Sequence, residues 1–158
     1  MRTYTSSYKL LLSEAGLDPE VRRASYIAKS APSTHEIGWL GHKKFRGSKD
    51  KVQIKFDPND PQIKDKYIYH THPYEDAPTP LHAMPSEQDL IEATNVIRQG
   101  MKGIVIFSGQ YYTVVVPTDK VKEKLFANSY NKALQRGDIE DAIKEIERLG
   151  FDIETGEV

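Results

Sequence analysis

Residues 67–89 read YIYHTHPYEDAPTPLHAMPSEQD, from Tyr67 to Asp89, and the rest of the chain is interpreted outward from them. Tyr67-Ile68-Tyr69 has the aromatic and β-branched character of an incoming strand. Strand side chains alternate, so His70 and His72 project to the same side. Two imidazoles on one face suit a single metal ion. Pro73 cannot extend a sheet ladder, so the strand should stop there and leave the histidines at its end, where sites in layered α/β folds tend to open. The stretch from Pro73 to Pro85 holds four prolines and no periodicity, which predicts an ordered, stiff loop lying over the metal. Ser86 then begins a helix whose first turn carries Asp89, returning a carboxylate toward the imidazoles. Two neutral nitrogens and one anionic oxygen form a three-ligand set for Zn²⁺ with the fourth tetrahedral position open to water, the catalytic arrangement.

Upstream, residues Tyr8 to Ala15 predict a short helix ending at Gly16. A second should run from Asp18, as N-cap before Pro19, to about Lys29. His35 to Gly41 reads as a strand with Ile37, Trp39 and Gly41 on one face and Glu36, Gly38 and Leu40 on the other. Glu36 stands at the start of a mostly apolar strand, an odd place for a carboxylate without a task. His42 to Lys55 is basic, carrying Lys43, Lys44, Arg46, Lys49, Lys51 and Lys55 against Asp50 alone. A solvated loop is the ordinary reading of such a run, and a docking patch for an acidic partner is the other. Lys51 to Phe56 alternates as a half-buried strand does, so Leu40 to Phe56 predicts a hairpin or meander.

Downstream, the helix from Ser86 should reach about Gln99, with Leu90, Ala93, Thr94 and Ile97 on one face and Gly100 as its stop. Ile104 to Phe107 and Tyr111 to Val116 read as core strands joined through Ser108-Gly109-Gln110. Thr118 caps a predicted helix with Val121, Leu125 and Phe126 inward. Asp138 caps another with Ile139, Ala142, Ile143, Ile146 and Leu149 on one stripe, and this last helix is strongly acidic outside. The stripe either docks on the domain or forms a dimer contact.

A chain of 158 residues fits one domain, with 22 basic and 23 acidic residues for a net charge of −1. No global field favours nucleic acid or an anionic membrane. Cysteine is absent, excluding disulfides, a thiol nucleophile, a thiolate metal site and the paired-cysteine zinc of deaminases. No apolar stretch approaches a membrane span, and Met1 to Leu12 does not resemble a signal peptide. The expected setting is cytoplasmic, soluble and intracellular.

Each candidate residue has an ordinary alternative. Ser86-x-x-Asp89 is also a capping box, His70 and His72 could be polar residues of an edge strand, and Glu36 could pair with a lysine. Their joint order carries more: an acid on a strand, then His-x-His-Pro, then Ser-x-x-Asp. Glu36-Ile37-Gly38-Trp39-Leu40-Gly41, His70-Thr71-His72-Pro73 and Ser86-Glu87-Gln88-Asp89 together resemble the signature of the JAMM (JAB1/MPN/Mov34) metalloproteases, over roughly residues 20 to 130. One departure is the thirteen residues between His72 and Ser86, more than that family's usual spacer. Their Glu75, Asp76 and His82 suggest either a substrate lid or a competitor for the metal, a lid or surface elaboration being the preferred reading.

The resemblance implies an α/β (α+β) architecture of the cytidine-deaminase-like MPN/JAB type. A mixed central sheet flanked by helices would form a single domain over residues 1–158, with its core at about 20–134 and an acidic helical appendage over 135–158. It implies Zn²⁺ held by His70, His72 and Asp89, a bound water as nucleophile, Glu36 as general base and Ser86 as oxyanion support. It further implies hydrolysis of amide bonds at the C-terminus of a ubiquitin-like or other small β-grasp modifier. The competing expectation is a noncatalytic interaction module on the same scaffold, although relatives of that kind have typically lost ligands. A different His-x-His metallohydrolase would usually need a barrel-sized chain and more histidines and acids.

Overall fold

The computed structural model describes residues 4–5, 34–40, 43–49, 51–57, 59–64, 66–98, 100–121 and 127–157. The helices expected over 8–15 and 18–29 lie outside them, as do Leu125 and Phe126 of the helix expected after Thr118. The described elements are β1 (Tyr4–Thr5), β2 (Ile37–Leu40), β3 (Lys43–Arg46), β4 (Tyr67–Thr71), α1 (Glu87–Arg98), β5 (Gly103–Ser108), β6 (Tyr111–Pro117), α2 (Asn128–Gln135), α3 (Ile139–Arg148) and β7 (Phe151–Glu157). Short 3₁₀ turns occupy Pro61–Ile63 and Pro80–Ala83.

The strands form one mixed sheet in the order β1-β7-β6-β5-β4-β2-β3, which makes this an α/β protein. Among the described strands only β4 and β5 pair in parallel, and α1 lies in the connection between them. That βαβ unit places the C-terminal end of β4 beside the N-terminus of α1, the place where ligand sites form in such sheets. β5 is buried along its whole length, as its Gly-Ile-Val-Ile-Phe-Ser sequence requires of a strand covered on both faces. The β5–β6 hairpin turns through Gly109 at φ 57°, a conformation that favours glycine.

One face of the sheet packs Ile68, Ile104, Ile106, Val115 and Ile153 against Leu90 and Ala93 of α1, Tyr130 and Ala133 of α2, and Ala142, Ile143 and Ile146 of α3. The α3 stripe therefore docks on the sheet. The other face is aromatic, with Trp39 stacked on Tyr69 at 5.4 Å and on Phe107 at 6.1 Å between ring centroids.

Three expectations change. Residues 135–158 are not an appendage outside the core: α3 is followed by β7, an interior strand hydrogen-bonded to both β1 and β6. Phe151 and Ile153 of β7 enter the core while Glu154, also buried, accepts a hydrogen bond from the Tyr112 hydroxyl at 2.8 Å. The polar residues of Asp152-Ile153-Glu154-Thr155 concealed the strand. Thr118 caps no regular helix among the described residues. Its hydroxyl and N–H both donate to the Gly150 carbonyl in a turn, and the described helix in this region is α2. Lastly, residues 51–56 keep the alternation that suggested a strand, with Val52, Ile54 and Phe56 half-buried, but have no ladder partner among the described residues. They lie over the sheet at Gly38, where a Cβ would stand only 2.6 Å from Ile54 Cδ1.

Candidate metal centre

His70 sits in β4 between Gly38 of β2 and Ile106 of β5. Ladder bonding continues one residue past the strand, since the His72 N–H donates to the Phe107 carbonyl at 2.8 Å. Both imidazoles therefore share the face of Ile68, the face that α1 covers. The Ile37 N–H donates to Thr71 Oγ1 at 3.0 Å and ties the start of β2 to the end of β4, which brings the preceding residue, Glu36, beside the histidines.

The Ser86-x-x-Asp89 capping box forms in full. The Ser86 N–H donates to Asp89 Oδ2 at 2.8 Å and the Asp89 N–H donates to Ser86 Oγ at 3.1 Å. The same carboxylate reaches the histidines, with Oδ1 3.3 Å from His70 Nε2 and Oδ2 3.1 Å from His72 Nε2. The two Nε2 atoms are 3.2 Å apart. Capping and convergence are thus compatible, because the helix N-terminus that needs the cap points at the end of β4.

These separations test whether a metal fits. The edge of a tetrahedron is about 1.63 times its centre-to-vertex distance, so Zn–N and Zn–O bonds of about 2.0–2.2 Å imply ligand atoms about 3.3–3.6 Å apart. The two Nε2 atoms, 3.2 Å apart, stand just inside that spacing, and the Asp89 carboxylate spans them with both oxygens, Oδ1 toward His70 and Oδ2 toward His72. Glu36 also offers a carboxylate oxygen within 4.8 Å of a ligand atom of each histidine. Among the described residues, the group whose candidate ligand atoms all lie within 4.8 Å of one another is Glu36, His70 and His72, while Asp89 touches the two histidines through different oxygens. The residues present fit a divalent ion with nitrogen and oxygen ligands.

Electrostatics bind the group together. Burial works against the imidazolium of His70, but the Asp89 carboxylate beside it wins, and the pKa of His70 lies above its ordinary value. Burial also works against the Asp89 anion, yet His70 and His72 hold its carboxyl well below the usual carboxylate range. Burial pushes Glu36 up, with His70 and His72 opposing and Asp89 adding to the rise.

A cleft of about 400 Å³ opens on this group. Glu36, His70, Ser86 and Asp89 stand along it, Ile68 and Ile104 add apolar surface, and residues 51–56 form a wall. Ser86 Oγ accepts from Asp89, which leaves its own O–H to donate. Four of the five residues singled out from the sequence line this cleft, and His72 stands beside them against Asp89 without lining it. The spacer from Pro73 to Pro85 does not line the cleft, which favours a surface elaboration over a lid.

Supporting residues escaped the sequence reading. The His82 main-chain carbonyl accepts from His72 Nδ1 at 2.8 Å, and Ser108 Oγ donates to the His72 carbonyl at 3.0 Å. The buried Tyr130 hydroxyl, kept protonated by burial and by Asp89, donates to the Pro85 carbonyl just before α1. Only Thr79-Pro80 carried a local signal, that of a helical turn about to start. The others are partners 36 and 45 residues apart in sequence, or a main-chain carbonyl.

No protein-family profile matches the chain, and neither a curated protein nor a solved structure matches it.

Proposed function

We propose that this chain is a zinc-dependent peptidase or isopeptidase on an MPN-type scaffold. It would act in the cytoplasm on amide bonds at the C-terminus of a ubiquitin-like or other small modifier protein. The observation that carries this reading is the convergence of His70, His72 and Asp89 at 3.1–3.3 Å, with Glu36 and Ser86 on the same cleft. The JAMM-like order of the same five residues supports it.

His70, His72 and Asp89 would hold the ion. A zinc ion, when bound, supplies Lewis acidity that brings the pKa of water near 7 and polarises a carbonyl. Glu36, partly desolvated and beside both histidines, would accept the proton of the attacking water and return it to the departing amine. The Ser86 hydroxyl donates to the carbonyl oxygen as that oxygen gains charge, a contribution of about 3–4 kcal/mol in comparable sites. Residues 51–56 alternate exposed and half-buried side chains and have no ladder partner among the described residues, so their main chain can align an extended substrate tail along the cleft.

Metal content and cleavage together test this. The purified chain should bind about one zinc, which His70→Ala or Asp89→Ala removes. Glu36→Gln should keep the metal and lose hydrolysis of modifier precursors or conjugates by at least about 100-fold. Full zinc stoichiometry in a His70→Ala/His72→Ala variant would falsify the ligand assignment. Zinc binding by the wild type without cleavage across a broad modifier panel would leave a noncatalytic interaction module as the better reading.

A further inference from the structure

We propose that the long spacer between His72 and Ser86 is a brace that orients His72 for metal binding, with His82 as its positioning residue. This rests on the metal-centre reading above. His70 lies inside the sheet with its side chain 5% exposed, and strands on both sides hold it. His72 lies one residue beyond the end of β4 with its side chain 19% exposed, and among the described residues only β5 extends the ladder to it. A ligand at a frayed strand end needs support from elsewhere, and here that support comes from the spacer.

The His82 carbonyl stands 2.8 Å from His72 Nδ1. A carbonyl only accepts, so Nδ1 carries the proton and Nε2 is turned toward Asp89 and His70. Outer partners of this kind set the tautomer and orientation of ligating histidines. The carbonyl is itself held in place. His82 N–H donates to the Thr79 carbonyl at 3.0 Å, and the Thr79 N–H donates back to His82 Nδ1 at 2.9 Å, with Thr79 Oγ1 3.0 Å from the same nitrogen. The His82 ring closes this turn through Nδ1 as an acceptor, so it serves the turn and not the metal.

The remaining spacer is anchored as well. Pro78 packs so closely on Gly109 that a Cβ there would come within 2.4 Å of Pro78 Cγ, and Ala83 and Met84 are buried. The extra residues therefore build a support behind His72.

Zinc affinity of the full chain, measured by competition with a chromophoric chelator, tests the brace. His82→Asn would place an amide oxygen where Nδ1 lies, whereas His82→Gln keeps the bulk but carries its amide one bond too far. The prediction is that His82→Asn binds zinc within about threefold of wild type, while His82→Gln and His82→Ala bind about 10–100-fold more weakly. Metal-free melting of each variant separates this from misfolding, and the contrast between His82→Asn and His82→Gln remains informative if His82→Ala does not fold. Equal affinity in wild type, His82→Gln and His82→Asn overturns the brace. So does an equal loss in His82→Asn and His82→Gln with zinc falling below one per chain, which would make the ring a ligand. If wild type binds zinc and His72→Ala abolishes it, a negative result at His82 sinks the brace alone. If wild type binds none, the metal centre falls and the brace with it.

Discussion

Glu36 stands between opposing influences: burial raises its pKa while the two histidines lower it, and Asp89 pushes it back up. His70 and Asp89 form the stronger couple, and their shifts make the metal-free protein pH-dependent in a defined sense. His70 is raised from 6.5, so its contribution is complete below that value and is lost as pH rises through the higher folded pKa. Asp89 is lowered from 3.8, so its contribution is present above that value and is lost as pH falls through the lower folded pKa. The pair therefore stabilises the metal-free chain most between about pH 4 and pH 6.5. Zinc competes with the proton on His70, whose folded pKa lies above 6.5, so the rise in Tm on adding zinc should grow as pH is raised from 6.5. Calorimetry at several pH values reads this directly, and a zinc shift that shrinks with rising pH would contradict the site. At this scale the sequence was informative, because the spacing of His70 and His72 at the end of β4 and of Ser86 and Asp89 at the start of α1 is local geometry.

Between elements, two contacts govern the cleft. Residues 51–56 pass over Gly38, so Gly38→Ala must displace Ile54, whose Cγ1 would be 2.8 Å from the new methyl. Overpacking of this sort costs about 1–3 kcal/mol. Adding Ile54→Ala should recover part of that loss, a coupling that denaturant melts of the double-mutant cycle would expose. Strict additivity would mean that the segment does not rest there. The second contact joins α2 to the start of α1. Tyr130→Phe removes the donor to the buried Pro85 carbonyl and should cost about 1–3 kcal/mol in urea unfolding. The start of α1 was legible from Ser86 and Asp89 because a capping box is complete within four residues. The Tyr130–Pro85 contact spans 45 residues and no local pattern encodes it. Alternation in residues 51–56 reported half-burial correctly, but a ladder needs a neighbouring strand, which periodicity cannot supply.

For the whole molecule the C-terminal segment decides most. β7 lies between β1 and β6, so ending the chain before Phe151 would strip the β6 edge and open the core beneath α3. The truncated chain should lose its cooperative melting transition. The milder Ile153→Ala, at a fully buried position, should cost about 2–5 kcal/mol. A truncation that still melts cooperatively near the wild-type temperature would show the segment to be dispensable. Among the described residues, no helix is long and apolar enough to cross a membrane.

The sequence by itself determined the elements whose signals are short-ranged: β4 stopping before Pro73, α1 starting at its capping box, the β5–β6 hairpin at Gly109, and α3 from Asp138. It also determined which five side chains were chemically suited to one site. Tertiary structure alone decided that β7 is an interior strand, that residues 51–56 wall a cleft without joining the sheet, and that the spacer turns behind His72 and leaves the cleft uncovered. The division is physical. Caps, turns and side-chain periodicity are settled by neighbours along the chain, whereas ladder partners, burial of polar strands and main-chain support for a ligand depend on which distant surfaces pack together.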